Sequence, residues 1–261
     1  MAFREGFVEA DGFRIRYLEA GEGSPLMHLH GAGGLRLHGA HEALSRKHRM
    51  ILFEMPGFGT SAENTRTQSQ RELAGTMHAA LAAMGIEQCN LWGTSFGGRV
   101  VLWMAADQPD RVPALVLEAP GAIRPEGHRL PGGTPEEMRR LIFAHPERLP
   151  PMPPPVPAIA AKNRALAGRL RGPDRDPALE ARMREIGAPT LVLFGTLDRV
   201  MPPEMGRRYK ELLPDCHLVF LYDAGHEMST ERPDAFSEVV GDFLERHEAF
   251  VISRTPTVIH P

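Results

Sequence analysis

The sequence predicts an α/β fold, in which helices cover both faces of a largely parallel β-sheet. Short apolar runs alternate with segments of helical periodicity along the 261 residues. The apolar runs end at Gly, Pro or acidic residues, as buried parallel strands do. The composition, 42% hydrophobic and 24% charged, is that of an ordinary globular protein, so a chain of this length is expected to form a stable core unaided.

Seven segments have the pattern of strands. Residues 13–19 alternate apolar and polar side chains, which is typical of a half-exposed strand. The other six are compact apolar runs: 25–29, 50–53, 89–92, 114–117, 190–194 and 218–222.

Helices are predicted between these strands. Residues 69–84 place apolar side chains three or four positions apart, and 95–108 and 233–247 have similar stripes. We interpret each stripe as the face that packs on the sheet.

Residues 122–187 interrupt the alternation. The Pro-rich stretch 148–157 cannot be a continuous helix, although 134–144 and 158–170 beside it have helical patterns. The segment has eleven Arg and one Lys against eight Asp and Glu, a net charge of +4, so the rest of the chain carries −3 − 4 = −7. We therefore predict a core of residues 1–121 and 188–261 with an insertion at 122–187. The tail 254–261 is expected to be loosely ordered.

Charge and composition argue against several classes of function. A net charge of −3 without a basic stripe predicts no nucleic-acid binding. The first residues lack the apolar core of a signal peptide, and no stretch reaches the roughly 20 apolar residues of a membrane span. We predict a cytoplasmic protein that contacts no membrane; export by a cleaved leader stays open. Cys89 and Cys216 are too few for a disulfide scaffold and are interpreted as buried apolar residues.

Four histidines, His28, His30, His38 and His41, lie close together in the sequence. No Cys or carboxylate joins them at ligand spacing, so no metal site is predicted. The glycines at 31–34 lack the Lys and Ser/Thr of a phosphate-binding loop. The sequence predicts no cofactor.

The strongest local motif is Gly93-Thr94-Ser95-Phe96-Gly97. A predicted strand precedes it and a predicted helix follows, the context in which G-x-S-x-G marks a nucleophile elbow. Gly93 and Gly97 allow the sharp turn that exposes the Ser95 hydroxyl at the start of a helix. The alternative is a Gly-rich turn in which Ser95 only caps the helix.

Two later strands end at residues that complete a catalytic triad. Asp198 follows the strand at 190–194, and His226 follows the strand at 218–222. The order nucleophile, acid, base and the position after parallel strands agree with hydrolase triads. We predict Ser95 as nucleophile, His226 as base and Asp198 as the residue that orients the base.

A fourth element, His30-Gly31-Ala32-Gly33-Gly34, directly follows the strand at 25–29. Its small residues let the main chain approach a substrate. The backbone N–H groups of Ala32 and Phe96 are the predicted oxyanion hole, with Gly33 as a substitute for Ala32. His30 is predicted to be structural.

With these motifs the chain resembles lid-bearing serine hydrolases of the α/β-hydrolase fold, a family of esterases, C–C bond hydrolases and perhydrolases. The matching segments are 30–34, 56–61, 93–97, Asp198 and His226, which span nearly the whole length. The resemblance implies a mostly parallel eight-stranded sheet flanked by helices, and a helical lid at 122–187.

The chain departs from the family pattern at three places. Glu54 replaces the usual Asp before the Pro-Gly segment, which we expect to affect only the local loop. Glu118 ends the sixth strand, where some relatives keep their catalytic acid, and is the alternative to Asp198. Glu227 and Met228 stand where an aromatic residue often follows the catalytic His.

A small-molecule substrate is predicted, and the oligomeric state is left open. The leading hypothesis is hydrolysis of a carboxylic ester through an acyl-enzyme at Ser95. The alternatives are hydrolysis of a C–C bond next to a ketone, with lid arginines holding an acidic substrate, then perhydrolysis. A non-catalytic binding protein on the same fold is the hypothesis from another class. Residues 141–143 either line the pocket or, as we expect, pack the lid on the core.

Overall fold

The computed structural model describes residues 2–129, 132–151, 153–246, 250 and 258–259. Its central sheet has the strand order β1-β2-β4-β3-β5-β6-β7-β8-β9. The strands are β1 (Arg4–Ala10), β2 (Phe13–Ala20), β3 (Pro25–Leu29), β4 (Arg49–Phe53), β5 (Asn90–Thr94), β6 (Leu115–Glu118), β7 (Thr190–Gly195), β8 (Cys216–Leu221) and β9 (Val258–Ile259).

The sheet is parallel from β4 to β8 and antiparallel at both edges. In β5 to β8 the pairs Leu91↔Leu115, Leu115↔Thr190 and Thr190↔Cys216 put the beginnings of neighbouring strands side by side. The carboxyl ends of these strands therefore also lie at one edge, where open α/β sheets bind ligands. The predicted eight-stranded, mostly parallel sheet is confirmed, and the two-residue β9 adds an antiparallel pair to β8.

Helices connect the strands. They are α1 (Gly39–Leu44), α2 (Gln70–Ala83), α3 (Phe96–Asp107), α4 (Pro135–Ile142), α5 (Pro157–Arg169), α6 (Pro177–Met183), α7 (Met205–Leu212), α8 (Met228–Glu231) and α9 (Pro233–Arg246). α2 packs against α3, and α1 packs against α9. Between helices and sheet lie fully buried side chains such as Phe53, Trp92, Phe194 and Phe236.

Strand β1 was not predicted. Only Val8 and Ala10 of its seven residues are buried, because it is an edge strand with most side chains in solvent. Its hydrogen bonds to β2 run over its full length, from Arg4↔Glu19 to Ala10↔Phe13. β1 therefore forms through its main-chain hydrogen bonds to β2, although its sequence has no apolar run. Of the predicted loose tail, residues 258–259 form β9, and the rest lies outside the described residues.

The insertion contains α4, α5 and α6, and the first two agree with the predicted helices. α4 begins with a capping box in which the Thr134 hydroxyl accepts from the Glu137 N–H and the Glu137 carboxylate accepts from Thr134. The chain between α4 and α5 contains a single 3-10 turn, Pro146–Arg148, because its prolines exclude a longer helix.

Among the described residues, no helix combines the length and the hydrophobicity needed to cross a lipid bilayer.

Candidate active site

The predicted site residues lie at one edge of the sheet. Ser95 follows β5, Asp198 follows β7, His226 follows β8, and the segment 30–34 follows β3. Because these strands are parallel members of one sheet, residues that are up to 196 positions apart in the chain share the same edge.

Ser95 has the backbone conformation of a nucleophile elbow, with φ = 51° and ψ = −107°. Such a conformation in a non-glycine residue costs about 1–3 kcal/mol and is retained where its surroundings enforce it. The two flanking glycines are required by close approach. A Cβ on Gly93 would lie 2.5 Å from Val101, and one on Gly97 would lie 2.1 Å from the Leu29 carbonyl oxygen. Larger residues at either position would force α3 away from the sheet.

The main chain of the elbow is fixed by β6. The Ser95 N–H donates to the Glu118 carbonyl over 2.8 Å, and the Ser95 carbonyl accepts from the Gly121 N–H at 2.8 Å. The side chain of Ser95 is left partly exposed. Two main-chain hydrogen bonds therefore hold Ser95 in its strained conformation, while its hydroxyl remains accessible.

His226 and Asp198 are joined as the sequence predicts. His226 Nδ1 lies 2.8 Å from Asp198 Oδ2, and both residues are buried. The other carboxylate oxygen of Asp198 accepts from the N–H groups of Val200 and Met201, each at 2.8 Å. Since an ionised carboxylate only accepts, Nδ1 carries the proton and Nε2 presents a lone pair, which is the tautomer that a general base needs.

Opposing effects act on the pKa of His226. Burial lowers it, but the negative charge and hydrogen bond of Asp198 outweigh burial, and Glu227 and Glu118 add to the effect. The pKa of His226 is therefore raised. The neighbouring carboxylates favour the imidazolium that forms when the residue takes a proton.

The segment 30–34 presents N–H groups near Ser95. Two of its carbonyls are occupied: Gly31 O accepts from His30 Nδ1 and from Gly34 N, and Gly33 O accepts from Asn163 Nδ2. Within the described part of the chain, the N–H groups of Ala32 and Gly33 have no acceptor. A Cβ built on Gly31 would lie 3.5 Å from Ser95 Cβ. The Phe96 N–H is the first of a helix, where no intrahelical partner exists.

His30 is held on both ring nitrogens. Its Nδ1 lies 2.7 Å from the Gly31 carbonyl and its Nε2 accepts from the Met55 N–H at 3.1 Å. Burial lowers the pKa of His30 to about 4. It is a neutral structural residue that fixes the first turn of the segment.

The structure does not bring every predicted partner into contact. In the described residues, no hydrogen bond joins the Ser95 hydroxyl to His226. Hydrogen bonds between nucleophile and base are often long in unliganded sites, so this geometry does not argue against the pair. Glu118, the alternative acid, bonds Thr94, Trp92 and Ser229. It is not the partner of His226.

Asn163 was missed in the sequence. This buried residue of α5 donates to the Gly33 carbonyl at 3.0 Å and accepts from the Gly59 N–H at 3.0 Å. It therefore ties the insertion to two loops of the core. An Asn on a helix of otherwise mixed polarity has no local pattern by which the sequence could single it out.

The base loop, which follows β8 and carries His226, also contacts residues 122–187. The His226 N–H donates to the Ile142 carbonyl at 2.7 Å. Glu231 accepts from the N–H groups of Gly225 and His145, at 2.7 and 2.6 Å. Phe143 is fully buried, whereas Leu141 and Ile142 are half-buried, so the packing role expected for residues 141–143 stays a prediction.

One ion pair lies beside the base. Arg36 Nη2 is 3.0 and 3.2 Å from the two carboxylate oxygens of Glu227, the residue after His226. Burial is the main reason that the pKa values of His30 and His38 are lowered, and the charge of Arg36 adds to both shifts. Arg36 is thus a cation next to the loops that carry the predicted oxyanion hole and base.

The arginines of the insertion, in contrast, are directed to other partners or to solvent. Arg124 and Arg171 bond Asp174, Arg148 bonds Asp223, and Arg169 bonds the carbonyls of Asn64 and Thr67. No group of three or more His, Cys, Asp or Glu side chains with the arrangement of a metal site occurs among the described residues.

Comparison with known proteins agrees with this architecture. A family model described as alpha/beta hydrolase fold matches residues 24–157, and one described as TAP-like protein matches 168–249. The chain is 31% identical to 2-hydroxymuconate semialdehyde hydrolase of Pseudomonas sp. (strain CF600), over 94% of this chain and 95% of that protein.

Two further relatives are similar over most of their length. One is 2-hydroxy-6-oxo-6-(2'-aminophenyl)hexa-2,4-dienoic acid hydrolase of Metapseudomonas resinovorans, 28% identical over 94% of this chain and 92% of that protein. A solved serine hydrolase involved in carbazole degradation superposes with a TM-score of 0.76 at 24% identity, over 94% of this chain and 99% of that one. With a matched family model over more than half of its length, the chain belongs to the alpha/beta hydrolase fold family.

Proposed function

We propose that the protein is a serine hydrolase that cleaves a C–C bond next to a ketone in a diketone acid of the ring-cleavage type. The observation that carries the catalytic assignment is the His226–Asp198 hydrogen bond, which leaves Nε2 as a base at the sheet edge where Ser95 stands in a strained elbow. The similar enzymes are named as hydrolases of a 2-hydroxymuconate semialdehyde and of a 2-hydroxy-6-oxo-dienoic acid, and these names support the C–C reaction rather than our leading ester hypothesis.

In the first half of the proposed reaction, His226 Nε2 takes the Ser95 proton and the oxygen attacks the ketone carbon. The N–H groups of Phe96 and of Ala32 or Gly33 stabilise the oxyanion, each worth roughly 3–4 kcal/mol. The C–C bond then breaks, its electron pair leaves as a dienolate of the acid, and His226 returns a proton to that fragment. An acyl-enzyme on Ser95 remains.

In the second half, water attacks the acyl carbon while His226 Nε2 accepts its proton. The bond to Ser95 Oγ breaks, and the oxygen regains its proton from His226. One water is consumed, and two products carry the two sides of the former C–C bond. Asp198 keeps the tautomer of His226 throughout.

We also propose that residues 122–187 form a lid over this site. The contacts that support a lid are the bond from Asn163 to Gly33 and the bond from the His226 N–H to Ile142. Both join the insertion to a loop that carries a proposed catalytic group.

Carboxylic ester hydrolysis is the second candidate, and one observation favours it. Arg36, the cation beside the base loop, is already paired with Glu227. A neutral pair offers an acidic substrate less attraction than a free guanidinium would. An ester without charge needs no such cation and would use the same triad.

The test compares both substrate classes with the wild type and Ser95→Ala. We expect turnover of a vinylogous diketone acid that exceeds turnover of p-nitrophenyl acetate, butyrate and octanoate, and loss of all turnover in Ser95→Ala. A reversed preference would favour the ester hydrolase. If Ser95 in folded wild type fails to react with a fluorophosphonate probe, the protein is a non-catalytic binder and the proposal is wrong.

A further inference from the structure

Glu118 is a fully buried carboxylate at the end of β6, and the triad does not use it. Its Oε1 accepts from the Ser229 N–H at 2.8 Å. Its Oε2 accepts from Thr94 Oγ1 at 2.6 Å, Ser229 Oγ at 3.1 Å and Trp92 Nε1 at 3.2 Å. No ion pair to Glu118 is formed within the described residues. Burial raises the pKa of Glu118, and the hydrogen bonds from Ser229 and Thr94 oppose that rise. A main-chain N–H and an indole N–H can only donate, so these hydrogen bonds favour the ionised carboxylate.

A directed chain of hydrogen bonds leads to the same carboxylate. The His38 N–H donates to His41 Nδ1 at 3.3 Å, so the proton of His41 lies on Nε2, which is 2.9 Å from His28 Nδ1. His28 Nε2 then donates to Thr94 Oγ1 at 3.0 Å, which leaves the Thr94 proton for Glu118. Burial lowers the pKa values of His28 and His41 well below the ordinary range, which keeps both neutral.

These bonds connect the segments that carry the proposed catalytic groups. Thr94 immediately precedes Ser95, and Ser229 lies three positions after His226. The main chain of Glu118 contributes as well, because its carbonyl accepts from the Ser95 N–H at 2.8 Å. Ser95 and His226 have no direct hydrogen bond, so the scaffold that surrounds them sets their separation.

We infer that Glu118 is a positioning residue of the hydrolase site. Its carboxylate bonds Ser229, which follows His226, and Thr94, which precedes Ser95, and so fixes the distance between the two segments that carry the proposed base and nucleophile. This inference rests on the proposed function. It explains why a carboxylate stands fully buried without a cation at the end of β6. The histidine chain from α1 then serves to keep the Thr94 hydroxyl directed at Glu118.

The charge of Glu118 adds a second, measurable effect. The groups that act on the imidazole of His226 are the carboxylates of Asp198, Glu227 and Glu118, all of which raise its pKa. The nearby cation Arg36 is paired with Glu227. Removing one carboxylate therefore lowers the pKa of His226, and a purely structural substitution leaves that pKa in place.

The experiment measures the second-order rate of Ser95 labelling by a fluorophosphonate from acidic to alkaline pH, which requires no natural substrate. We expect Glu118→Gln to label about 10²-fold more slowly, since small misplacements have effects of that size. The labelling rate rises with pH as His226 loses its proton, so the midpoint should also move to lower pH. Ser229→Ala keeps the carboxylate and should slow labelling without moving the midpoint.

Glu54→Gln is the matched control. Glu54 is also a buried carboxylate at a strand end. It accepts hydrogen bonds from Thr60 and Ser61 in its own loop and pairs with Arg16 of β2 at 3.4 Å. Glu54→Gln should keep the labelling rate and the pH midpoint of the wild type, even if its melting temperature falls.

A folded Glu118→Gln that labels at the wild-type rate with the wild-type midpoint overturns the inference. If Glu118→Gln does not fold, the double variant Thr94→Val with Ser229→Ala decides, because it removes both hydroxyl hydrogen bonds to the carboxylate. A wild-type labelling rate in the folded double variant overturns the inference. Failure of the proposed function is distinct. Without a serine-hydrolase site the wild type itself would not label at Ser95, and a preference for esters over the diketone acid would change the substrate class without changing the role inferred for Glu118.

Discussion

At the scale of single residues, the site depends on which atoms already have partners. Both oxygens of Asp198 are occupied, by His226 on one side and by Val200 and Met201 on the other. The carboxylate cannot rotate without losing bonds. Ser95, in contrast, has a fixed main chain and a partly exposed hydroxyl. The side chain of Asp198, the residue proposed to orient the base, is therefore held in place, whereas the proposed nucleophile Ser95 remains accessible.

Arg36 is the residue at which the two substrate classes can be separated. Under the proposed function the substrate carboxylate takes the place of Glu227 on Arg36, and Arg36→Met should raise the KM for p-nitrophenyl hydrogen succinate about tenfold, because one charge-assisted hydrogen bond contributes about 1.5–3 kcal/mol. Under the ester alternative Arg36 stays paired with Glu227, and this KM should not change. For p-nitrophenyl butyrate, which has the same acyl length without the carboxylate, the KM should stay within about twofold of the wild type, since no ionic contact is lost.

The double variant Arg36→Met with Glu227→Gln is the control, because it removes the unpaired carboxylate that the single variant leaves. If the double variant binds both esters as the wild type does, the loss in the single variant came from Glu227. Arg36 would then have no role in binding an acidic substrate.

At the scale of secondary-structure elements, α5 packs on the hydrophobic core with Leu166 and Ala167 and adds one buried polar side chain, Asn163. Asn163 bonds the Gly33 carbonyl and the Gly59 N–H. The first bond holds the segment whose N–H groups form the proposed oxyanion hole. Loss of the Asn163 contact can in this way displace the N–H groups of segment 30–34, although these groups do not belong to α5.

We predict that Asn163→Ala lowers the free energy of unfolding by about 1–3 kcal/mol, because it leaves Gly59 and Gly33 without partners. The rate of Ser95 labelling should fall about tenfold as the segment 30–34 loosens. Arg164→Ala, an exposed neighbour on the same helix, is the control and should change neither quantity. A labelling rate in Asn163→Ala equal to that of Arg164→Ala would refute the role in positioning.

At the scale of the whole molecule, the insertion is fastened to the core near the base loop. Asp223 accepts from His145 Nε2 at 2.6 Å and from Arg148 Nη1 at 2.9 Å. The two donors, His145 first, lower the pKa of Asp223. A carboxylate with a lowered pKa stabilises the fold above its unfolded pKa, and this stabilisation is lost as the pH falls through its folded pKa.

We therefore predict that Asp223→Asn lowers the melting temperature at about pH 7. The difference from wild type should begin to shrink below about pH 4, the ordinary pKa of Asp, and vanish only below the lowered pKa of Asp223. At neutral pH, trypsin should cleave after Arg148 faster in this variant, because the guanidinium has lost its partner. Asp215→Asn, at a more exposed Asp, is the control. Equal cleavage in the two variants would mean that Asp223 does not fasten the insertion.

Some sequence predictions remain predictions at this scale. These are the division into residues 1–121 with 188–261 and the lid 122–187, the cytoplasmic location, the small-molecule substrate, and the absence of nucleic-acid and membrane partners.

The sequence by itself determined the parts of this protein that depend on local patterns. The parallel strands have continuous apolar runs because both of their faces are buried, and the elbow has glycines because 2.1–2.5 Å contacts leave no room for a side chain. The order Ser95, Asp198, His226 could be predicted because each residue lies in the turn or loop that follows such a strand.

Only the tertiary structure decided what depends on contacts between distant segments. The sequence allowed either Asp198 or Glu118 as the acid that pairs with His226. The structure decides against Glu118, because its oxygens bond Thr94 and Ser229. Asn163 and the strand β1 carried no local signal, because a hydrogen bond between positions 33 and 163 and a pairing at a sheet edge leave no periodicity in the chain. The spacing of apolar residues predicts which side chains are buried, whereas the hydrogen-bond partner of a polar group is determined only when the chain has folded.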